Sequence, residues 1–487
     1  MIDLTPCPEA ARRNAARARE RGVRIPTFDQ MINPASVPAG TRTRLADVGL
    51  WDVDPLNLFR VTWHNEPKER GGLFGGVNFL EIPREITGVR ARIIGLCGKW
   101  FPTGAHKVGA ATSCIVPRLV TGQFDATAQW AAWPSTGNYC RGGAYISALL
   151  GCQSIAILPE EMSRERFEWL SKIAGEVIAT PGCESNVKEI YDKCWELRRT
   201  RGTDIMIFNQ FEEYGNYLWH HEVTGRAIEE VLGQVMAKGD RFAGVVSSTG
   251  SAGTIACGDY LKKIYPRSKI AAAEALQCPT LLNNGYGGHR IEGIGDKHVP
   301  WIHNVRNTDF VIAVDDEATL RVMRLLNEPA GREFLARRGV DATLLDRLDW
   351  LGISGIGNLL AAVKMAKWCE LDEHDVVATV FTDSMALYRS RLAELAGELG
   401  PYDATAAAAD HARFLLGEST ANMIELDHPT RRRIHNLKYY TWVEQQGRTL
   451  DELNAQWHDH GHWDRIVSLR PKIDAMITEF NAAAAAN

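Results

Sequence analysis

No CxxC pair occurs among the ten cysteines of this chain. Several lie in apolar stretches such as Ile93-Ile94-Gly95-Leu96-Cys97. That is the usage of buried thiols in a reducing compartment and argues against a disulfide frame. No stretch reaches about 18 uninterrupted apolar residues, so no membrane span is expected. The opening Met-Ile-Asp-Leu-Thr-Pro soon gives way to Arg- and Glu-rich sequence and lacks a signal peptide's apolar core. A cytoplasmic location is the expectation. No concentrated basic stripe is present and the formal charge is only −5, so nucleic acid is not an expected partner. The cluster Arg431-Arg432-Arg433 reads as a solvated helix face. No repeat of fixed period is evident.

What is present is an ordinary globular composition, 45% hydrophobic and 24% charged, over 487 residues, enough for two or three domains. An Arg/Ala/Glu helix (9–21) and Pro/Gly-rich loop come first. Short β-branched or apolar runs at 91–96, 154–158, 175–180, 243–246, 269–273, 309–314 and 376–381 then predict strands. Helical patterns fall between them, for example at 163–174, 187–200 and 217–236. Such alternation implies an α/β fold of mostly parallel sheets covered on both faces. Beyond about Arg391 no further strand is expected, and the Ala-rich tail Ala482–Ala486 reads as frayed.

Five motifs carry chemistry. Thr103-Gly104-Ala105-His106-Lys107 follows a predicted strand and leads into the small-residue run Gly109-Ala110-Ala111-Thr112-Ser113. A lysine desolvated there would have a lowered pKa and could serve as nucleophile and base, although an isolated Lys near a Gly is more often a surface charge. Pro134-Ser135-Thr136-Gly137-Asn138 precedes an apolar helix and suits either a carboxylate nest or an N-capping turn. Ser247-Ser248-Thr249-Gly250-Ser251-Ala252-Gly253-Thr254 has neither the P-loop lysine nor the GxGxxG spacing. Its small residues before a helix can still cup a phosphate. Glu292-Gly293-Ile294-Gly295 and Phe381-Thr382-Asp383-Ser384 follow, each also readable as a plain loop at a sheet edge.

In this order the five motifs resemble the β-family (fold type II) of pyridoxal-phosphate enzymes, which includes cysteine synthase, cystathionine β-synthase, threonine dehydratase and the tryptophan synthase β chain. The resemblance spans roughly Ala91 to Ser390; residues 269–300 look most like cysteine synthase, while Thr103–Lys107 looks like the tryptophan synthase β chain. It implies two three-layer α/β/α domains: a large one from residues 61–110 and 231–390, and a small mobile one from 111–230. An N-terminal extension (1–60) and a helical C-terminal extension (391–487) would flank them. The implied cofactor is pyridoxal 5'-phosphate, held by Lys107, which would also shuttle the Cα proton. The resemblance assigns Asn138 to the ring hydroxyl and Thr249, Gly250, Ser251, Ala252, Gly253 and Thr254 to the phosphate. Gly293 would lie near the reacting carbon, Ser384 would face the pyridine nitrogen, and Ser135, Thr136 and Gly137 would bind the substrate carboxylate. The implied reaction is β-elimination or β-replacement on an L-amino acid by way of an aminoacrylate, and the implied assembly a homodimer. Two alternatives stay open: a serine/threonine dehydratase-type ammonia-lyase, and a non-catalytic amino-acid sensor on the same fold.

The chain departs from cysteine synthase where Tyr139, Cys140 and Arg141 replace the Thr and Gly that follow the loop asparagine. Tyr139 and Arg141 are therefore candidates to bind an acidic or larger substrate, with a solvent-facing Arg141 the alternative. The glutamate-bearing loop of the tryptophan synthase β chain is absent, which counts against indole chemistry. Outside the core, Asn57–Glu66 reads as an entry strand or a roof over the site. His458-Asp459-His460-Gly461-His462 lacks the partners of a zinc pattern and reads as solvated histidines, and no metal is expected. Tyr439–Glu444 with Leu450, Leu453 and Trp457 gives an aromatic face that would pack on the core or on a second subunit.

Overall fold

A computed structural model describes residues 1–66, 73–135 and 137–486. Its strands are β1 (Phe79–Ile82), β2 (Arg92–Cys97), β3 (Trp130–Pro134), β4 (Ser154–Pro159), β5 (Glu176–Thr180) and β6 (Ile205–Ile207), then β7 (Arg241–Ser248), β8 (Lys269–Ala275), β9 (Phe310–Val314), β10 (Asp375–Phe381) and β11 (Met423–Glu425). They form a seven-stranded sheet in the order β1-β2-β10-β7-β8-β9-β11 and a four-stranded sheet in the order β5-β4-β3-β6. All pairings are parallel except β1 with β2 and β11 with β9 at the two edges of the larger sheet.

The larger sheet is buried on both faces, and its strands are accordingly apolar at successive positions. Ile94, Val245 and Ala378 point into one core while their neighbours Ile93, Val246 and Val377 point into the other. The helix Ile353–Trp368, buried almost all round, covers the second face against β7, β9 and β10.

Every predicted strand is found, and β1, β3, β6 and β11 are added to them. The sequence Trp130-Ala131-Ala132-Trp133-Pro134 of β3 has no β-branched residue to signal a strand, yet it lies between β4 and β6. β11 corrects the expectation of no strand beyond Arg391: three residues add antiparallel to β9 and give its outer edge a partner. The alanine tail is not frayed. The helix Arg470–Ala485 buries Ile473, Ile477, Phe480 and Ala484 against the helix Pro8–Glu20. Asn481 exchanges two hydrogen bonds with the Ile25 backbone, at 3.0 and 2.8 Å.

The arginine cluster is likewise not a solvated face. Arg431 donates to Thr308 O and to Asp309, and Arg433 donates to the Leu281 and Leu282 carbonyls, clamping the C-terminal segment to the core. Asn57–Glu66 is no strand: Pro55–Arg60 forms a 3-10 helix, and Trp63 stacks on His106 with ring centroids 5.6 Å apart. His462, expected in solvent, is buried with Nε2 3.0 Å from Tyr214 Oη. Trp442 of the aromatic face is fully buried against the core and donates to Val299 O at 2.8 Å. Among the described residues no helix is long and apolar enough to cross a membrane.

Candidate active site

Parallel strands bring their C-terminal ends to one side of a sheet, where open α/β folds bind ligands. Here the loops after β2, β3, β7, β8 and β10 carry the five motifs. The loop after β2 turns sharply at Thr103 (φ 69°) and Gly104 (φ 70°), two consecutive left-handed residues. This turn delivers Lys107 to the first position of the helix Lys107–Thr121. The loop is pinned to the end of β10 by His106 N–H donating to Thr382 O at 3.3 Å.

Lys107, Ser135, Asn138, Tyr139, Gly250, Ser251 and Gly293, all singled out from sequence, line one cavity. Gln210, Phe211, Asp296 and Thr382 complete its wall. The Lys107 amine donates to Ser251 Oγ at 3.1 Å. Burial lowers its pKa to about 8 against the opposing pull of Asp296 and Glu184. Burial likewise pushes the Asp296 carboxyl up to about 8, with Lys107 pulling it down. Each is therefore poised to change charge near neutral pH.

The Thr249–Thr254 loop forms a cup. Among the described residues, the backbone N–H groups of Gly250, Ser251, Ala252 and Thr254 donate to no protein acceptor. Ala252 adopts φ 57°, which turns the loop back on itself. A Cβ on Gly253 would sit 2.0 Å from Asn216 Oδ1, so only glycine fits there. Ser251 Oγ accepts from Lys107 and from Asn216 Nδ2, both at 3.1 Å, so its own proton is available to a ligand. His106 Nε2 lies 3.2 Å from Thr254 Oγ1.

Ser135 is set in the same way: its Oγ accepts from Gln210 Nε2 at 3.1 Å and from Gly137 N–H at 3.2 Å, leaving its proton to donate. Thr136 lies outside the described residues. Gly137 is packed against Arg166, whose Nη1 would be 1.9 Å from a Cβ at that position. Asn138 Nδ2 donates to Asp383 Oδ2 at 2.6 Å. Asp383 Oδ2 also accepts from Tyr388 Oη at 2.6 Å, which in turn accepts from Arg166 Nη2 at 2.8 Å. Arg166 closes the network through Glu292 at 3.1 Å, and Glu292 accepts from Arg391 at 2.8 Å. Residues of the small sheet's connections, Asn138 and Arg166, are thereby tied to loops of the large sheet.

Of the predicted residues, Gly137, Thr249, Ala252, Gly253 and Thr254 flank the cavity without lining it, and Ser384 and Arg141 are outside the lining too. Ser384 is buried but does not line the cavity; Thr382, two residues earlier, does. Arg141 is buried rather than solvent-facing, stacked over Trp169 at 4.8 Å and Trp51 at 5.7 Å, and it too is outside the lining. Conversely, Ser354 escaped the sequence reading. Its Oγ is buried without a partner, 3.6 Å from where a Cβ on Gly293 would stand. Gly352-Ile353-Ser354-Gly355 opens an apolar helix with small residues, the same signature that marked the phosphate cup.

Residues 97–333 match the family described as pyridoxal-phosphate dependent enzyme. The chain is 30% identical over 258 residues to a cysteine synthase of Staphylococcus aureus, covering 53% of this chain and 74% of that one. The chain belongs to this family. This pyridoxal-phosphate dependent enzyme is also 25% identical over 325 residues to the cystathionine beta-synthase of Saccharomyces cerevisiae, covering 64% of its own length and 60% of the relative's. Its fold matches a hydrogen sulfide-producing enzyme from Fusobacterium nucleatum with a TM-score of 0.54 at 23% identity, over 64% of this chain and 96% of that one.

The cavity suits pyridoxal phosphate on its own chemistry. Free amides and a free hydroxyl at a helix start fit a phosphate dianion. Buried atoms without partners, Asn138 Oδ1, Gln210 Oε1, Asp296 Oδ2 and Ser354 Oγ, lie in or beside the same cavity, where a polar ligand would satisfy them.

Proposed function

We propose that this enzyme carries out β-elimination or β-replacement on an L-amino acid. The observation that carries the reading is the Lys107 amine, half-buried and hydrogen-bonded to Ser251 in the amide cup. Bound pyridoxal phosphate supplies an electron sink that acidifies the Cα–H of the amino acid it holds. On this reading Thr249–Thr254 hold the phosphate, and Asn138 Oδ1 stays open to the ring hydroxyl because its amide nitrogen is committed to Asp383. A neutral hydroxyl facing the ring nitrogen, the role the resemblance gives Ser384 and for which the unpartnered Ser354 Oγ beside Gly293 is a second candidate, favours prompt loss of a β-group over transamination. Ser135 donates to the substrate carboxylate, with Gly137 and Tyr139 beside it; the resemblance adds Thr136, which lies outside the described residues. Lys107, held down to about 8 by burial, takes the Cα proton and can return it.

The ten unpaired cysteines, most of them buried, support a reducing, cytoplasmic setting. The family resemblance supports a homodimer, which sedimentation of the purified protein tests.

Reconstitution with pyridoxal phosphate, borohydride reduction and peptide mass spectrometry should find the phosphopyridoxyl group on Lys107; its placement on another lysine would sink the assignment. Product analysis with and without an added thiol then separates replacement, which gives a thioether, from elimination, which gives a keto acid and ammonia.

A further inference from the structure

Asp296 has no part in binding the cofactor on the reading above, yet it lines the same cavity as Lys107, Ser135, Asn138 and Gly293. The chain invests in placing it there. Gly293 (φ 99°) and Gly295 (φ 74°) bend the loop back on itself, and His289 Nε2 holds the Gly295 carbonyl at 2.7 Å. Thr280 Oγ1 donates to the carbonyl of Asp296 itself at 2.8 Å. The backbone is thus anchored on both sides of a carboxyl that is 4% exposed and whose Oδ2 has no partner. A buried carboxyl without a hydrogen-bond partner is a cost to the fold. The charged side chains that bear on this wall of the cavity are Lys107 and Glu184. Among the described residues the Lys107 amine bonds to Ser251 and makes no ion pair with Asp296.

We propose that Asp296 is a second acid–base group of this enzyme, serving the β-substituent while Lys107 serves Cα, and that the substrate class is an amino acid with an unactivated β-hydroxyl. This inference rests on the β-chemistry reading above. The chemistry follows from leaving-group ability. Chloride departs from Cβ without a proton, whereas a hydroxyl must leave as water, because hydroxide, the conjugate base of a molecule with pKa about 15.7, is a poor leaving group. The Asp296 carboxylic acid gives its proton to the departing oxygen, which leaves with the electrons of the Cβ–O bond as water. The carboxylate so formed takes the proton of an incoming thiol as its sulfur bonds to Cβ. The acid is regenerated and the sum is hydroxy amino acid plus thiol giving thioether plus water. Burial holds the acid form at neutral pH, as the donor role requires.

The test compares L-serine with β-chloro-L-alanine in the reconstituted wild type and in Asp296→Asn, each with a simple thiol. We expect kcat with L-serine to fall at least about 100-fold more than kcat with the chloro substrate, in the range general acid catalysis supplies. We expect the wild-type-minus-variant infrared difference spectrum of the apoproteins at pH 7 to show the carbonyl-stretch band of one buried protonated carboxyl. Equal losses with both substrates, or no such band, overturn the Asp296 assignment alone. A wild type active on the chloro substrate and inert to L-serine overturns the substrate class. A wild type inert to both overturns the β-chemistry reading itself.

Discussion

Ser251 Oγ accepts N–H bonds from Lys107 Nζ and from Asn216 Nδ2, each at 3.1 Å, so one hydroxyl couples the reactive amine to the phosphate cup. Ser251→Ala removes that acceptor and the proton it would offer to the phosphate. Hydrogen bonds to charged groups contribute about 1.5–3 kcal/mol. The dissociation constant for pyridoxal phosphate should rise about 10- to 100-fold, measured by absorbance titration of the apoprotein. An unchanged constant would remove Ser251 from the phosphate site.

Much of this arrangement was legible in the residues. The strands with β-branched runs, the lysine loop and the small-residue cup are local signals, because tight turns before helices favour small and hydroxyl residues such as Gly, Ser and Thr. What stayed hidden depends on contacts between distant residues. Asn216 and Gln210 follow the short strand β6 and reach the site only because β6 flanks β3. Asp296 sits beside a motif already noted, yet its burial comes from packing that no spacing reveals. Ser354, buried beside Gly293 with an unpartnered hydroxyl, was passed over because its small-residue context reads as a plain helix start. The arginines at 431–433 looked solvated because their partners lie over a hundred residues away, in carbonyls and in Asp309.

Lys107 also fixes a pH dependence. Its folded pKa, about 8, lies below the ordinary 10.5, so between those values the unfolded chain carries a proton that the folded chain lacks. Stability contributed by this group therefore rises with pH across that window. Urea midpoints of the apoprotein between pH 8 and 10 should climb more steeply in the wild type than in Lys107→Met. The amine's reaction with pyridoxal phosphate should also speed up as pH passes through about 8, since only the neutral form attacks. Identical pH slopes in the two proteins would show that Lys107 titrates as an ordinary surface lysine.

Arg166 is the fully buried cation of the network joining the two sheets, 3.1 Å from Glu292 and 4.0 Å from Asp383. Arg166→Met leaves buried carboxylates without that countercharge, a change that costs about 3–5 kcal/mol. It also frees Tyr388 and slackens the Asp383 contact that orients Asn138. We expect a clear drop in the urea midpoint together with weaker cofactor binding. Lys at the same position should rescue only part of either, because it lacks the planar fork that meets both Glu292 and Tyr388.

Arg141 is the opposite case, a cation 1% exposed that, among the described residues, has no hydrogen bond or ion pair and is stacked on the faces of Trp169 and Trp51. Burial lowers its pKa to about 10, aided by repulsion from Arg166. A lone buried charge destabilises the fold, and replacing buried charge by packed apolar atoms can raise stability by about 1–4 kcal/mol. The stacking lost, about 0.5–2 kcal/mol, offsets part of that gain. Arg141→Met should therefore stabilise the apoprotein, seen as a higher urea midpoint. If the charge is kept to receive an anionic group of substrate or incoming thiol, the same variant should raise KM for mercaptoacetate at least tenfold while leaving KM for 2-mercaptoethanol near its wild-type value. A variant that is less stable, with both KM values unmoved, would make Arg141 a packing residue and nothing more.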